Sequence, residues 1–94
     1  MKLLVMIFEA DKEELVFKVL EEQGIQGFTL WSPVHGKGAH SHPRMGSQVW
    51  PGDNTMLLTA VTDPTATAFK ELLLNHPDMK KGIKVFELDT TVWL

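Results

Sequence analysis

Nine lysines and arginines, four histidines and no cysteine bound the chemistry open to this 94-residue chain. Thiol catalysis, thiolate metal sites and disulfides are excluded. Three of the four histidines, His35, His40 and His42, share one polar stretch with four of the seven glycines. His40 and His42 stand two residues apart, and on extended backbone that spacing turns both imidazoles to the same side. Neutral imidazole is a common ligand for Zn²⁺ and similar ions, so His35, His40 and His42 form a candidate metal set that Glu9, Asp11 or Asp53 would complete. Lys37 lies between Gly36 and Gly38, where accessible backbone N–H groups and a cation suit an anion. Arg44 offers a guanidinium fork for a carboxylate or phosphate. Trp50, within Val49-Trp50-Pro51-Gly52, offers a stacking face to a ligand or partner, whereas Trp31 and Trp93 read as core or interface aromatics. His76, just before Pro77, reads as a dipole partner at a helix end.

A catalytic reading has little to stand on. There is no Gly-x-Ser-x-Gly, and Ser41 and Ser47 lack a base held by an orienting carboxylate on rigid elements. The chain is expected not to be an enzyme. A net charge of −3 with scattered cations gives no basic stripe for phosphates, so nucleic-acid binding is not expected. The apolar run Leu3–Phe8 is too short to span a membrane, and the acids Glu9 and Asp11 follow it. A cytoplasmic protein that is not membrane-embedded is the expectation.

The polar stretch needs elements to hold it. Lys2–Glu9 reads as a strand apolar on both faces. A helix follows, with Asp11 as N-cap, Glu14 completing a capping box, an apolar face of Leu15, Val16, Val19 and Leu20, and Gly24 as terminator. A second strand runs over 27–34 and a third over 55–61, separated by a loop of roughly twenty residues, far longer than a hairpin needs and therefore a candidate for function. Asp63 caps a second helix with Pro64 at its first position, a buried stripe of Ala68, Phe69, Leu72 and Leu73, and an end near Pro77. A last strand spans Ile83–Asp89, and the apolar tail Thr90–Leu94 is expected to extend it.

The order βαββαβ over one domain, residues 1–94, predicts an α+β ferredoxin-like fold: a four-stranded antiparallel sheet, two helices on one face, and a long loop between strands 2 and 3. Two helices cover one face only. Strands 1 and 3 are apolar on both, so the uncovered face is expected to meet another copy.

Gly24-Ile25-Gln26-Gly27-Phe28-Thr29, then Val34-His35-Gly36-Lys37-Gly38 at the opening of the loop, then the Leu57–Val61 strand resemble the PII signal-transduction superfamily. The resemblance covers nearly the whole chain in element order. It implies a homotrimer with the open sheet faces packed inward, and a small-molecule effector in intersubunit clefts at Gly36, Lys37, Gly38, His40, Gly82 and Lys84. It also implies a loop, residues 36–53, that signals to a target protein, a transporter or enzyme, with His42, Arg44 and Trp50 as partner-binding residues. The chain departs from typical members in having no tyrosine to be modified. His40 replaces a glutamine, Asn54 falls where a lysine is usual, and the turn before the last strand is shortened to Lys80-Lys81-Gly82. An adenine nucleotide or a divalent metal ion is the candidate ligand. The alternative function is a CutA-like divalent-metal-binding trimer using the loop histidines.

Overall fold

The computed structural model of the protein describes residues 1–40, 42–48 and 52–94. Strand β1 (Lys2–Glu9) passes through a 3-10 turn at Ala10–Lys12 into helix α1 (Glu13–Glu22). Strands β2 (Thr29–Val34) and β3 (Asn54–Val61) flank the long loop, and helix α2 (Asp63–Asn75) leads to β4 (Ile83–Asp89). The strands form one sheet in the order β2-β3-β1-β4. β1 pairs antiparallel with both β3 and β4, which puts the first strand in the middle beside the last. This is the ferredoxin-like α+β fold that the element order predicts.

Both helix starts differ from expectation. Asp11 is exposed within the 3-10 turn and caps nothing; Lys12 holds the cap position of α1 without a side-chain bond. Glu13 rather than Glu14 is engaged, its carboxylate accepting the Thr55 hydroxyl at 2.5 Å. At α2 the cap is Thr62, whose hydroxyl accepts the Thr65 N–H at 3.4 Å, so Asp63 and Pro64 lie inside the first turn. The helix buries Ala66 and Phe69, three residues apart on the same face, and leaves Ala68 in water. The end of α1 is as expected. Gly24 takes φ +71°, and the Gly24 and Ile25 N–H groups reach back to Glu21 and Leu20 at 3.0 and 2.9 Å. That is a Schellman closure, with Ile25 and Leu20 buried together.

The sheet has two unlike faces. Leu4, Met6 and Phe8 of β1 point to the helices and are buried with Leu57, Val61, Val16, Val19, Leu20, Phe69 and Met79. The two buried polar residues of the sheet, Thr55 and Thr59, are both satisfied, Thr59 donating to the Gly27 carbonyl at 2.6 Å. Leu3, Val5 and Ile7 alternate to the helix-free face, where register sets them beside Ala60, Leu58 and Met56 of β3 and Leu88, Phe86 and Lys84 of β4. Trp31 joins this face opposite Met56. The surface is largely apolar, with Lys84 and Thr29 on it and Glu9 and Asn54 at its loop end, and it leaves Trp31, Phe86 and Leu88 46–49% exposed. On the helix side, Lys2 and Asp89 pair at the β1–β4 corner. Their hydrogen bond and opposite charge hold the Asp89 carboxyl below its ordinary range and the Lys2 ammonium above its own.

The tail does not extend β4. Its hydrogen-bonded pairing ends at Asp89; the Thr90 N–H donates to the Met1 carbonyl at 3.1 Å, and Val92, Trp93 and Leu94 are exposed.

Candidate functional site

β2 hands the chain to the loop at Val34, and β3 takes it back at Asn54. Between them Gly36 and Arg44 form an antiparallel bridge with reciprocal bonds of 2.8 and 2.7 Å. This pairing brings residues 36 and 44 side by side. A second constriction follows, the Gly46 N–H donating to the Gly52 carbonyl at 3.1 Å. Gly46 sits at φ +66°, and a Cβ there would lie 2.6 Å from His35 Nε2 and 3.0 Å from Asp53 Oδ1. Only glycine admits the contact that results, His35 Nε2 to Asp53 Oδ1 at 3.3 Å.

Two links tie this folded root to the body. The Ala10 N–H donates to the Asp53 carbonyl at 3.1 Å, and the Arg44 guanidinium pairs with the Glu9 carboxylate. Glu9 ends β1 and also reaches the turn before β4, its N–H donating to the Gly82 carbonyl at 3.3 Å. A Cβ on Gly82 would lie 3.1 Å from Glu9 Oε1 and 2.9 Å from Lys12 Cε. Glu9 is therefore the hub where β1, the loop root and the α2–β4 turn meet. With Arg44, Lys12 and nearby glycine backbone, the root offers cations and N–H groups that suit a small anion.

Of the expected effector residues, the structure gathers Gly36 and Gly82 around Glu9 and Arg44. Lys37 is exposed, its ammonium 3.4 Å from the Gly38 carbonyl, and His40 is exposed farther out. Lys84 stands instead on the helix-free face opposite Ile7, because strand alternation points it away from Ile83 and Val85. Among the expected partner-binding residues, Arg44 is held at the root by Glu9 rather than free in the loop. His42 is exposed, and Trp50 lies outside the described residues. The expected metal set is not assembled. His35 turns to Asp53, His40 and His42 remain apart from it, and among the described residues no three acidic or imidazole groups are placed to share an ion. The sequence offered Glu9 as a charge ending an apolar strand and as one candidate to complete the metal set, not as a partner of Arg44.

Known proteins bear on this geometry. No curated protein sequence matches the chain. Among solved structures, the apo form of CPII from Thiomonas intermedia K12, a nitrogen regulatory PII-like protein, is 22% identical at TM-score 0.75, with 97% of this chain and 89% of that one covered. The structure of CPII bound to ADP and bicarbonate is also 22% identical, at TM-score 0.72, covering 93% and 84%. A PII-like signaling protein from Thermus thermophilus is 21% identical at TM-score 0.68, covering 93% and 82%. These similarities support the fold. The family described as Nitrogen regulatory protein P-II matches residues 1–92, nearly the whole length. The chain belongs to that family.

Proposed function

We propose that this chain is the subunit of a homotrimeric PII-like regulatory protein that binds a small anionic effector at intersubunit clefts and signals it to a target protein through the loop 36–53. The observation that carries this reading is the loop itself. Its root is fastened to β1 and, through Glu9, to the turn before β4, while Lys37, His40 and His42 stand exposed beyond it. A ligand at such a root biases the presentation of the whole segment. The apolar helix-free face supports self-association, since a soluble monomer rarely exposes so continuous a patch. Three copies closing around that face would bring each root against a neighbour.

The relatives suggest the ligand class, since CPII structures are described with ADP, AMP and bicarbonate. Gly36, Lys37, Gly38, Gly82 and Arg44 are the groups this chain would offer to an adenine nucleotide. The role proposed is binding rather than catalysis. No placement of the histidines favours the metal-binding alternative.

Thermal unfolding with ADP, AMP and bicarbonate tests the reading, each with and without chelator. A ligand at about 100 times its Kd is expected to stabilise the fold by about 2.7 kcal/mol, chelator making no difference. Stabilisation by Zn²⁺ alone, removed by chelator and lost in His40→Ala/His42→Ala, would overturn it.

A further inference from the structure

Among the described contacts, a backbone hydrogen bond from Ala10 to Asp53 and a side-chain ion pair between Arg44 and Glu9 hold the root of the loop to the body. The other described contacts of the root, Gly36–Arg44, Gly46–Gly52 and His35–Asp53, join the loop to itself. The ion pair is the part that a ligand can undo. It links residues 35 apart in sequence and is about three-quarters shielded, Arg44 at 27% and Glu9 at 28% side-chain exposure. The Arg44 stem packs over Gly52, with its Cγ 3.5 Å from where a Cβ would be, so the guanidinium is aimed from a fixed base. Lys12, the nearest other cation to Glu9, already donates to the Asp78 carbonyl at 3.1 Å.

We propose that the Glu9–Arg44 pair is a latch: Glu9 occupies the guanidinium when no ligand is bound, and an incoming oxyanion takes Arg44 from it and releases the loop root. This rests on the reading of the root as an anionic effector site and supplies the coupling between that site and the loop. Arg44 presents a planar fork that a carboxylate, bicarbonate or phosphate oxygen pair fits equally well, and Glu9 Oε1 already holds its Nη2, which a bidentate ligand on that edge needs. Glu9 is then a built-in competitor. Linkage requires that whatever Glu9 contributes to closure, the ligand must overcome by the same factor. Removing Glu9's charge therefore tightens binding, the opposite of what loss of an ordinary pocket residue does.

The assay is limited proteolysis of the full chain with trypsin, following cleavage after Lys37, which every variant retains. Without ligand, Glu9→Gln and Arg44→Gln are each expected to speed cleavage roughly threefold, the scale of a partly exposed ion pair, and the double variant to be no faster than either single one. Bicarbonate or ADP is expected to speed cleavage of the wild type and to leave Glu9→Gln unchanged, while isothermal titration shows Glu9→Gln binding that ligand roughly threefold tighter and Arg44→Gln binding it more weakly. Wild-type cleavage rates in both single variants, additive effects in the double variant, or weaker ligand binding by Glu9→Gln would overturn the latch. If neither ADP, AMP nor bicarbonate binds any variant, the effector reading and its competition with Glu9 both fail, while the ligand-free cycle separately confirms or refutes the ion pair as the clasp of the loop.

Discussion

Replacing Phe86 with glutamate places a charge on the helix-free face opposite Val5, without touching the helix-side core. The ring is 49% exposed, so the lone subunit loses little by the change. A phenylalanine carries about 200 Å² of surface, so about 100 Å² remains to be covered by a neighbour. At about 25 cal/mol per Å², covering it contributes about 2.5 kcal/mol per copy, or about 7.5 kcal/mol for three copies. With about 1.4 kcal/mol per factor of ten, the trimer dissociation constant rises by about five decades. The midpoint concentration follows the square root of that constant and shifts by roughly a few hundredfold. Burial of the new carboxylate adds to the effect. Sedimentation velocity at micromolar concentration is the assay: wild type is expected as a trimer and Phe86→Glu as a folded monomer with an unchanged circular dichroism spectrum. A wild type that sediments as a monomer, or a variant that stays trimeric, refutes the reasoning.

Three other outcomes are expected. Gly24→Ala meets no steric obstacle, yet its φ of +71° is the left-handed region, so urea unfolding is expected to show a loss of about 1 kcal/mol from backbone conformation alone. Leu57→Ala empties a fully buried position between β1 and the helices and is expected to cost about 3 kcal/mol in the same measurement. Asp89→Asn is expected to lower the melting temperature at neutral pH, because the Lys2 hydrogen bond depresses the folded-state carboxyl. That contribution is present above the ordinary carboxylate range and is lost as pH falls through the lowered value, so melting curves of variant and wild type are expected to converge in strong acid.

The sheet was legible because its strands carry their own boundaries. β1 is an apolar run between Lys2 and Glu9, and Ile83–Asp89 alternates before its pairing ends, so both spans match the structure. The terminator at Gly24 was legible for the same reason, since a helix stop at glycine is a local event. The caps were not. Thr62 and Asp63 are both favoured cap residues and the sequence does not choose between them, while at α1 a 3-10 turn takes up Asp11 and leaves the cap position to Lys12. In α2 the stripe holds at Phe69, while Ala66 rather than Ala68 is the buried alanine, three residues before it on the same face. The tail failed for a different reason: apolar residues favour a strand, but only a neighbouring strand makes one. Of the site, the loop and its glycines were visible, as was Arg44 as an anion-binding group. The Glu9–Arg44 and His35–Asp53 contacts were not, since a fold-dependent pairing leaves no spacing to read. The histidines show the converse. His40 and His42 have a suggestive interval, yet His35 turns to Asp53, and the three are not brought together.

The margins of the sheet differ from its middle. β2 is short, shifts register between Trp31 and Val34, and carries Pro33, which has no N–H to offer an added strand. The opposite margin, β4, carries Lys84, Glu87 and Asp89. A protein this sticky on one side is thus guarded against lateral zipping, the route by which sheets grow into ribbons without limit. That leaves the broad surface for contact, where the proposed closed set of copies would satisfy one another and growth would stop.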